Sequence, residues 1–178
     1  MPAITFCSTC GSALPGLPPT TCTACGTAHF HNPKPCANAI VVEDERVLLV
    51  RRAHAPWLGS WCAPGGFCEV GEHPIETAER EVFEETGLHA RVEAYVGTWV
   101  DAYADDAGEP DATVINVVYY RAFPVEGPPG AVDPAEVSEV GWFGWDEVPD
   151  GLAPPGTLAS ILDAVRNGAV SPCSDRPR

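Results

Sequence analysis

Apolar positions recur along the chain with two different periods, and the change of period marks out its elements. Residues 37–42 and 47–52 are nearly unbroken apolar runs separated by Glu43-Asp44-Glu45-Arg46, which predicts a β-hairpin. Farther on, Ile75, Ala78, Val82 and Phe83 recur at helical spacing and share one side of a helix, with His73-Pro74 marking its entry and Gly87 its exit. A strand-like segment at 91–100 and a β run at 113–123, rich in Val, Ile and Tyr, come next. A Pro/Gly-rich connection at 124–134 leads to a second amphipathic helix over 158–167. Leu158, Ile161, Leu162 and Val165 form its apolar face, Thr157 is its cap and Gly168 lies beyond its end. That helix is expected to pack on the sheet.

Charge divides the chain more sharply than hydrophobicity does. Residues 1–36 hold no Asp, Glu or Arg and only Lys34, whereas all 25 acids lie in 37–178. Three segments follow: a small unit at 1–36, a main domain at 37–168 and a loose tail at 169–178. A hydrophobic content of 45% is ample for a core. No apolar run reaches the eighteen or so residues of a membrane span, and Met1-Pro2-Ala3 opens no signal peptide, so a cytoplasmic protein is expected. The net charge of −15, with one lysine and nine arginines, argues against a broad nucleic-acid surface.

The first unit carries Cys7-x-x-Cys10 and Cys22-x-x-Cys25, two close thiol pairs separated by eleven residues. Two such knuckles can wrap one tetrahedral Zn²⁺ with four thiolates, and a segment this short has too little apolar surface to fold unaided. A structural zinc ribbon is the reading, against redox or iron chemistry. His29 and His31 follow the second knuckle and read as loop polar groups, since four cysteines already complete the shell. Cys36, Cys62, Cys68 and Cys173 read as small apolar or loop residues, Cys62 and Cys68 flanking a glycine turn.

Within the main domain the acids are crowded where a helix gains nothing from them. Glu81, Glu84 and Glu85 line one border of the first helix, and like charges three and four positions apart repel. A hard cation with oxygen ligands, Mg²⁺ or Mn²⁺, turns such a cluster into an attractive site. Pro64-Gly65-Gly66 just before it lets backbone approach that site without side chains in the way.

Gly66, five residues, Glu72, seven residues, then Arg80-Glu81-Val82-x-Glu84-Glu85-x-Gly87-Leu88 resembles the signature box of the Nudix hydrolases at every specified position. The resemblance implies an α/β/α sandwich with a mixed sheet and hydrolysis of a nucleoside diphosphate linked to another moiety. It implies Glu81, Glu84 and Glu85 as metal ligands, Arg80 as the group orienting them, and the Gly66 carbonyl at the metal. The segment from Glu136 to Glu139 is similar to the late stretch in which a loop glutamate acts as ligand or base, and both acids are candidates. Arg51 or Arg52 is a candidate for a substrate phosphate, only one of them facing the pocket because neighbouring strand residues point oppositely. Trp99 and Tyr103 either stack on a base or belong to the core, and the acidic loop 101–112 reads as a lid or as a solvated connection. A ribbon ahead of the box is similar to the arrangement in NADH pyrophosphatases and relatives acting on ADP-ribose or FAD, where it often serves a homodimer contact. The Ser-Gln-Pro-Trp-type motif of the NADH enzymes is replaced here by YVGTWVDAYADD at 95–106, which argues against an NADH preference. The expected partner is a small nucleotide. A nucleotide sensor without turnover and a hydrolase of NAD-capped RNA are the alternatives.

Overall fold

The computed structural model describes residues 4–103 and 113–173. In chain order the elements are β1 (Thr20–Thr21), β2 (Ala28–His29), β3 (Lys34–Glu43), β4 (Arg46–Arg52), β5 (Trp61–Cys62), β6 (Gly65–Phe67), α1 (Pro74–Thr86), β7 (His89–Tyr103), β8 (Thr113–Val125), β9 (Val137–Gly144), α2 (Thr157–Arg166) and β10 (Ser171–Pro172). β1 and β2 pair with each other, and the other eight strands form one mixed sheet in the order β10-β7-β8-β3-β4-β5, with β6 on β3 and β9 on β4. β3 and β8 run parallel.

The predicted hairpin of β3 and β4 is present but pairs only at its tip, Val42 with Val47 and Glu43 with Arg46. Asp44 and Glu45 make the turn with φ of 47° and 60°, the left-handed pair that a two-residue hairpin needs. Below the tip the strands part. β6 takes the edge of β3 that β4 leaves, pairing Ala37 with Gly66, and this brings the glycine bend beside the sheet centre.

Alternation along β3 builds two cores. Cys36 and Ile40 join Leu49, Val117, Tyr119 and the α2 residues Leu158, Ile161, Leu162 and Val165. Ala37, Ala39 and Val41 join Leu48 and the α1 residues Ile75, Ala78 and Val82 on the opposite side. A helix on each face of a sheet whose central strands are buried on both sides is an α/β/α sandwich. α1 begins as its sequence predicts. His73 accepts from the Ile75 N–H at 3.2 Å, Glu76 accepts from the His73 N–H at 3.0 Å, and Gly87 closes the helix at φ 71°.

Four expectations need correction. Thr157 is the first helical residue of α2 rather than its cap, a position held by Gly156 at φ 77° without a side-chain bond. Phe83 stands outside the α1 core and stacks on His89 at 4.6 Å, because the loop carrying Gly130 closes over that ring. The main sheet starts at Lys34, inside the segment assigned to the ribbon, because Lys34 and Pro35 already pair with Ile115 and Asn116. Ser171 and Pro172, placed in the loose tail, pair with Tyr95 and Ala94 at the sheet edge, where a proline costs no ladder bond. The loop expected as a lid lies, from 104 to 112, outside the described residues.

In the ribbon, the Sγ atoms of Cys7, Cys10, Cys22 and Cys25 all lie within 4.8 Å of one another. Cys7 and Cys25 are 3.6 Å apart and Cys10 and Cys22 3.7 Å. Metal–sulfur bonds of about 2.3 Å directed to the corners of a tetrahedron put the sulfurs about 3.8 Å apart, so the four donors fit zinc. His29 is no loose loop group: it lies in β2, buried, with Nε2 3.2 Å from Cys7 Sγ. His31 is exposed.

Candidate active site

The glycine bend, the first strands and α1 surround a cavity of about 520 Å³. Its acidic lining is Glu81 and Glu85 from α1 and Glu136 from the loop before β9; its basic lining is Lys34, Arg52 and His54; Gly65, Gly66 and Phe67 form part of its wall. One helical turn separates Glu81 from Glu85, so both point the same way. Gly66 lies so close that a Cβ there would run into the Glu81 carboxylate. Glycine is required here for contact.

Arg80 organises the border of the helix with all five of its N–H groups. Nε donates to Glu72 Oε1 at 2.8 Å and Nη2 to Glu72 Oε2 at 3.0 Å; Nη1 donates to Glu81 Oε1 at 2.8 Å and Glu84 Oε2 at 2.9 Å; Nη2 also donates to the Phe67 carbonyl at 3.2 Å. Glu72 additionally accepts from the Thr77 hydroxyl at 2.7 Å and the Glu69 N–H at 3.0 Å. The hydrogen bonds from Arg80 first, with those from Glu69 and Thr77, hold the Glu72 carboxyl down at about 2 against its burial. One guanidinium thus ties α1 to the loop that enters it.

The carboxylates facing the cavity are pushed the other way. Burial raises Glu85 to about 8, with Glu81 adding to the effect and the N–H of Gly65, donated to Glu85 Oε2 at 3.0 Å, opposing it. Burial also raises Glu81, against the pull of Arg80. Two desolvated carboxylates beside a close-approaching backbone are a donor set for a hard cation, which fits Mg²⁺ or Mn²⁺. The fit is to a hydrated ion. Among the described residues only the four thiols gather three or more ligand atoms within 4.8 Å, and the glutamates do not. Mg²⁺ usually keeps several waters and takes one or two carboxylates plus substrate phosphates, so spaced carboxylates suit it where a closed cage does not.

The other predicted residues separate clearly. Glu84 is half exposed, bonded to Arg80, and not among the cavity-lining residues. Arg52 lines the cavity, braced by Nε donating to the Pro56 carbonyl at 2.7 Å. Arg51 faces away, donating to the Gly59 carbonyl at 2.9 Å and to Glu139 at 3.4 Å. Glu139 is therefore a partner of Arg51, and Glu136 is the loop acid at the cavity. Trp99 packs edge-on against Tyr119 at 5.4 Å as part of the core beside α2. The backbone of Tyr103 pairs with Thr113; its side chain lies outside the described residues. Cys36 and Cys62 are buried, and desolvation pushes each thiol up to about 12. Sequence reasoning missed Lys34, His54 and Phe67 at the cavity and Glu72 as the chief partner of Arg80. The lone lysine of an acidic chain was the available signal for Lys34.

Known proteins are similar to this chain in sequence and fold. The NUDIX domain family matches residues 32–161. The chain is 34% identical over 90 residues to an ADP-ribose pyrophosphatase of Methanocaldococcus jannaschii, covering 51% of each. It is 31% identical over 143 residues to a NAD-capped RNA hydrolase, NudC, of Vibrio parahaemolyticus, covering 79% of this chain and 50% of that protein. The chain thus spans about half the length of the curated relatives it matches. A crystal structure of a NUDIX hydrolase from Nitrosomonas europaea superposes with a TM-score of 0.73 at 27% identity, over 93% of this chain and 94% of that one. No helix among the described residues is long and apolar enough to cross a membrane. With Gly66, Glu81 and Glu85 of the box lining one cavity and the family match running over most of the chain, the protein belongs to the NUDIX family.

Proposed function

We propose that the chain hydrolyses the pyrophosphate bond of a nucleoside diphosphate linked to a second moiety, ADP-ribose being the reference substrate, to give a nucleoside monophosphate and a second phosphate ester. The observation that carries this is the placement of half-buried Glu81 against Gly66 and half-buried Glu85 on the Gly65 N–H, in a cavity whose remaining charged lining is Glu136 and three basic groups. Glu81 and Glu85 hold the divalent cations, with Glu84 kept at the same helix border by Arg80 and the Gly66 carbonyl as a further candidate ligand. When bound, Mg²⁺ or Mn²⁺ neutralises the diphosphate and polarises the phosphorus under attack.

The protein groups divide the remaining work. Lys34, Arg52 and His54 contact phosphate oxygens, Arg52 through the donors that its bond to Pro56 leaves over. Glu136 takes the proton of the attacking water, since it reaches the cavity and Glu139 does not. Arg80 positions Glu81. The ribbon holds structural zinc, and the exposure of its Phe6, Leu17 and Phe30 supports a homodimer contact there. Product analysis across ADP-ribose, FAD, NAD, NADH, diadenosine polyphosphates and nucleoside triphosphates tests the proposal. Nucleoside monophosphate with a second phosphate ester is expected in Mg²⁺; binding of ADP-ribose without any product would refute turnover and leave a sensor.

The long match to NudC favours a second reading in which the same bond is cut in NAD-capped RNA. The charge of −15 weighs against it, because phosphate neutralisation supplies most affinity for RNA. Faster cleavage of capped RNA than of free NAD, falling steeply with salt, would establish that reading instead.

A further inference from the structure

We propose that His29 donates a hydrogen bond from Nε2 to the Cys7 thiolate and so sets how tightly the thiol tetrad holds zinc. The two atoms are 3.2 Å apart. Cys7 is 2% exposed and His29 8%, so water reaches neither well. A thiolate bound to zinc carries no proton and can only accept. A bare ring nitrogen facing it would set two lone pairs against each other, so Nε2 bears the hydrogen, as it does in one neutral tautomer and in the imidazolium.

The charge of the site explains why a donor belongs there. Four thiolates around one Zn²⁺ leave two negative charges uncompensated. The first 36 residues supply a single cationic side chain, Lys34, and its ammonium sits over the Phe67 ring at 4.9 Å, at the wall of the other cavity. Compensation has to come from N–H and O–H dipoles. Among the described residues three thiolates have side-chain donors of this kind: Cys7 has His29, Cys10 has the Ser12 hydroxyl, and Cys25 has the Thr27 hydroxyl at 3.2 Å. Cys10 and Cys25 are exposed and have water besides, whereas Cys7 is buried against the ring. Pairing of His29 with Thr20 across β1 and β2 fixes the backbone from which the ring reaches. His29 is therefore a positioning and charge-compensating residue, not a fifth ligand. The inference is independent of the hydrolytic reading and stands or falls without it.

Two measurements on the full chain test it. In protein loaded with ¹¹³Cd in place of zinc, a scalar coupling is expected between the metal and the ring proton on His29 Nε2, carried through the sulfur of Cys7. In the zinc protein, His29→Phe keeps the buried ring and removes the donor, and zinc transfer to a chromogenic chelator is expected to speed up roughly 10- to 100-fold. His29→Gln, which restores an N–H, is expected to recover most of the difference. Absence of the coupling, zinc release from His29→Phe at the wild-type rate, or a Gln variant no better than Phe would each overturn the proposal. If His29→Phe does not fold, the coupling in the wild-type chain decides alone.

Discussion

The Arg80 guanidinium grips the Glu72 carboxylate side-on, Nε to Oε1 at 2.8 Å and Nη2 to Oε2 at 3.0 Å, while its remaining nitrogen holds Glu81 and Glu84. A planar fork makes both contacts at once and an ammonium cannot. Arg80→Lys is thus expected to cost about 1–3 kcal/mol of stability and to lower kcat more than it raises KM. Chemical denaturation and steady-state kinetics read the two effects; an unchanged kcat would show that Glu81 needs no orienting partner.

The same pair gives the acid limb of the stability profile. The Glu72 carboxyl sits at about 2 in the fold against an ordinary 4.5. A carboxyl depressed by folding contributes stability that is complete above its unfolded value and is lost as pH falls through the folded one. Unfolding free energy should therefore drop between pH 4.5 and 2, and Glu72→Gln, less stable at neutral pH, should show a shallower drop. Equal slopes in both proteins would remove Glu72 from the account.

Glu136 and Glu139 are three positions apart in sequence, and the structure gives them different surroundings. Glu136→Gln is expected to lower turnover on the order of 10²- to 10⁴-fold, the usual worth of a general base. Glu139→Gln loses only an exposed pair with Arg51 and should stay within about twofold of wild type. The reverse ranking would assign the base to the wrong loop acid.

Gly66→Ala places a methyl group against the Glu81 carboxylate. Strong loss of activity with a melting temperature lowered by only a few degrees is expected, because the carboxylate can turn aside at modest cost to the fold. Retained full activity would show that Glu81 need not sit against the bend.

Much of this was legible in the sequence because it is local. A proline entry, a glycine exit and helical spacing placed α1, and apolar runs placed β3, β4, β7 and β8, since each signal is set within one element. The site was less legible where it depends on how elements meet. Helical spacing groups Glu81, Glu84 and Glu85 together, yet only the pair one turn apart lines the cavity, a distinction fixed by how α1 lies against β6. Lys34 and His54 arrive from a strand start and a loop, and nothing in their neighbours announces it. Trp99 was open in the sequence to a base or to the core; the missing side chain of Gly97 makes room for its ring, which the core takes.

Direct titration of Mn²⁺, followed by its electron paramagnetic resonance signal, is the sharpest test, with and without a non-hydrolysable methylene analogue of ADP-ribose. Wild-type protein should bind the ion, and bind it more tightly with the analogue present. The double variant Glu81→Gln/Glu85→Gln, folded by circular dichroism, should lose both effects. Mn²⁺ binding that is the same in the double variant as in the wild type would contradict the claim that these two cavity carboxylates hold the ions.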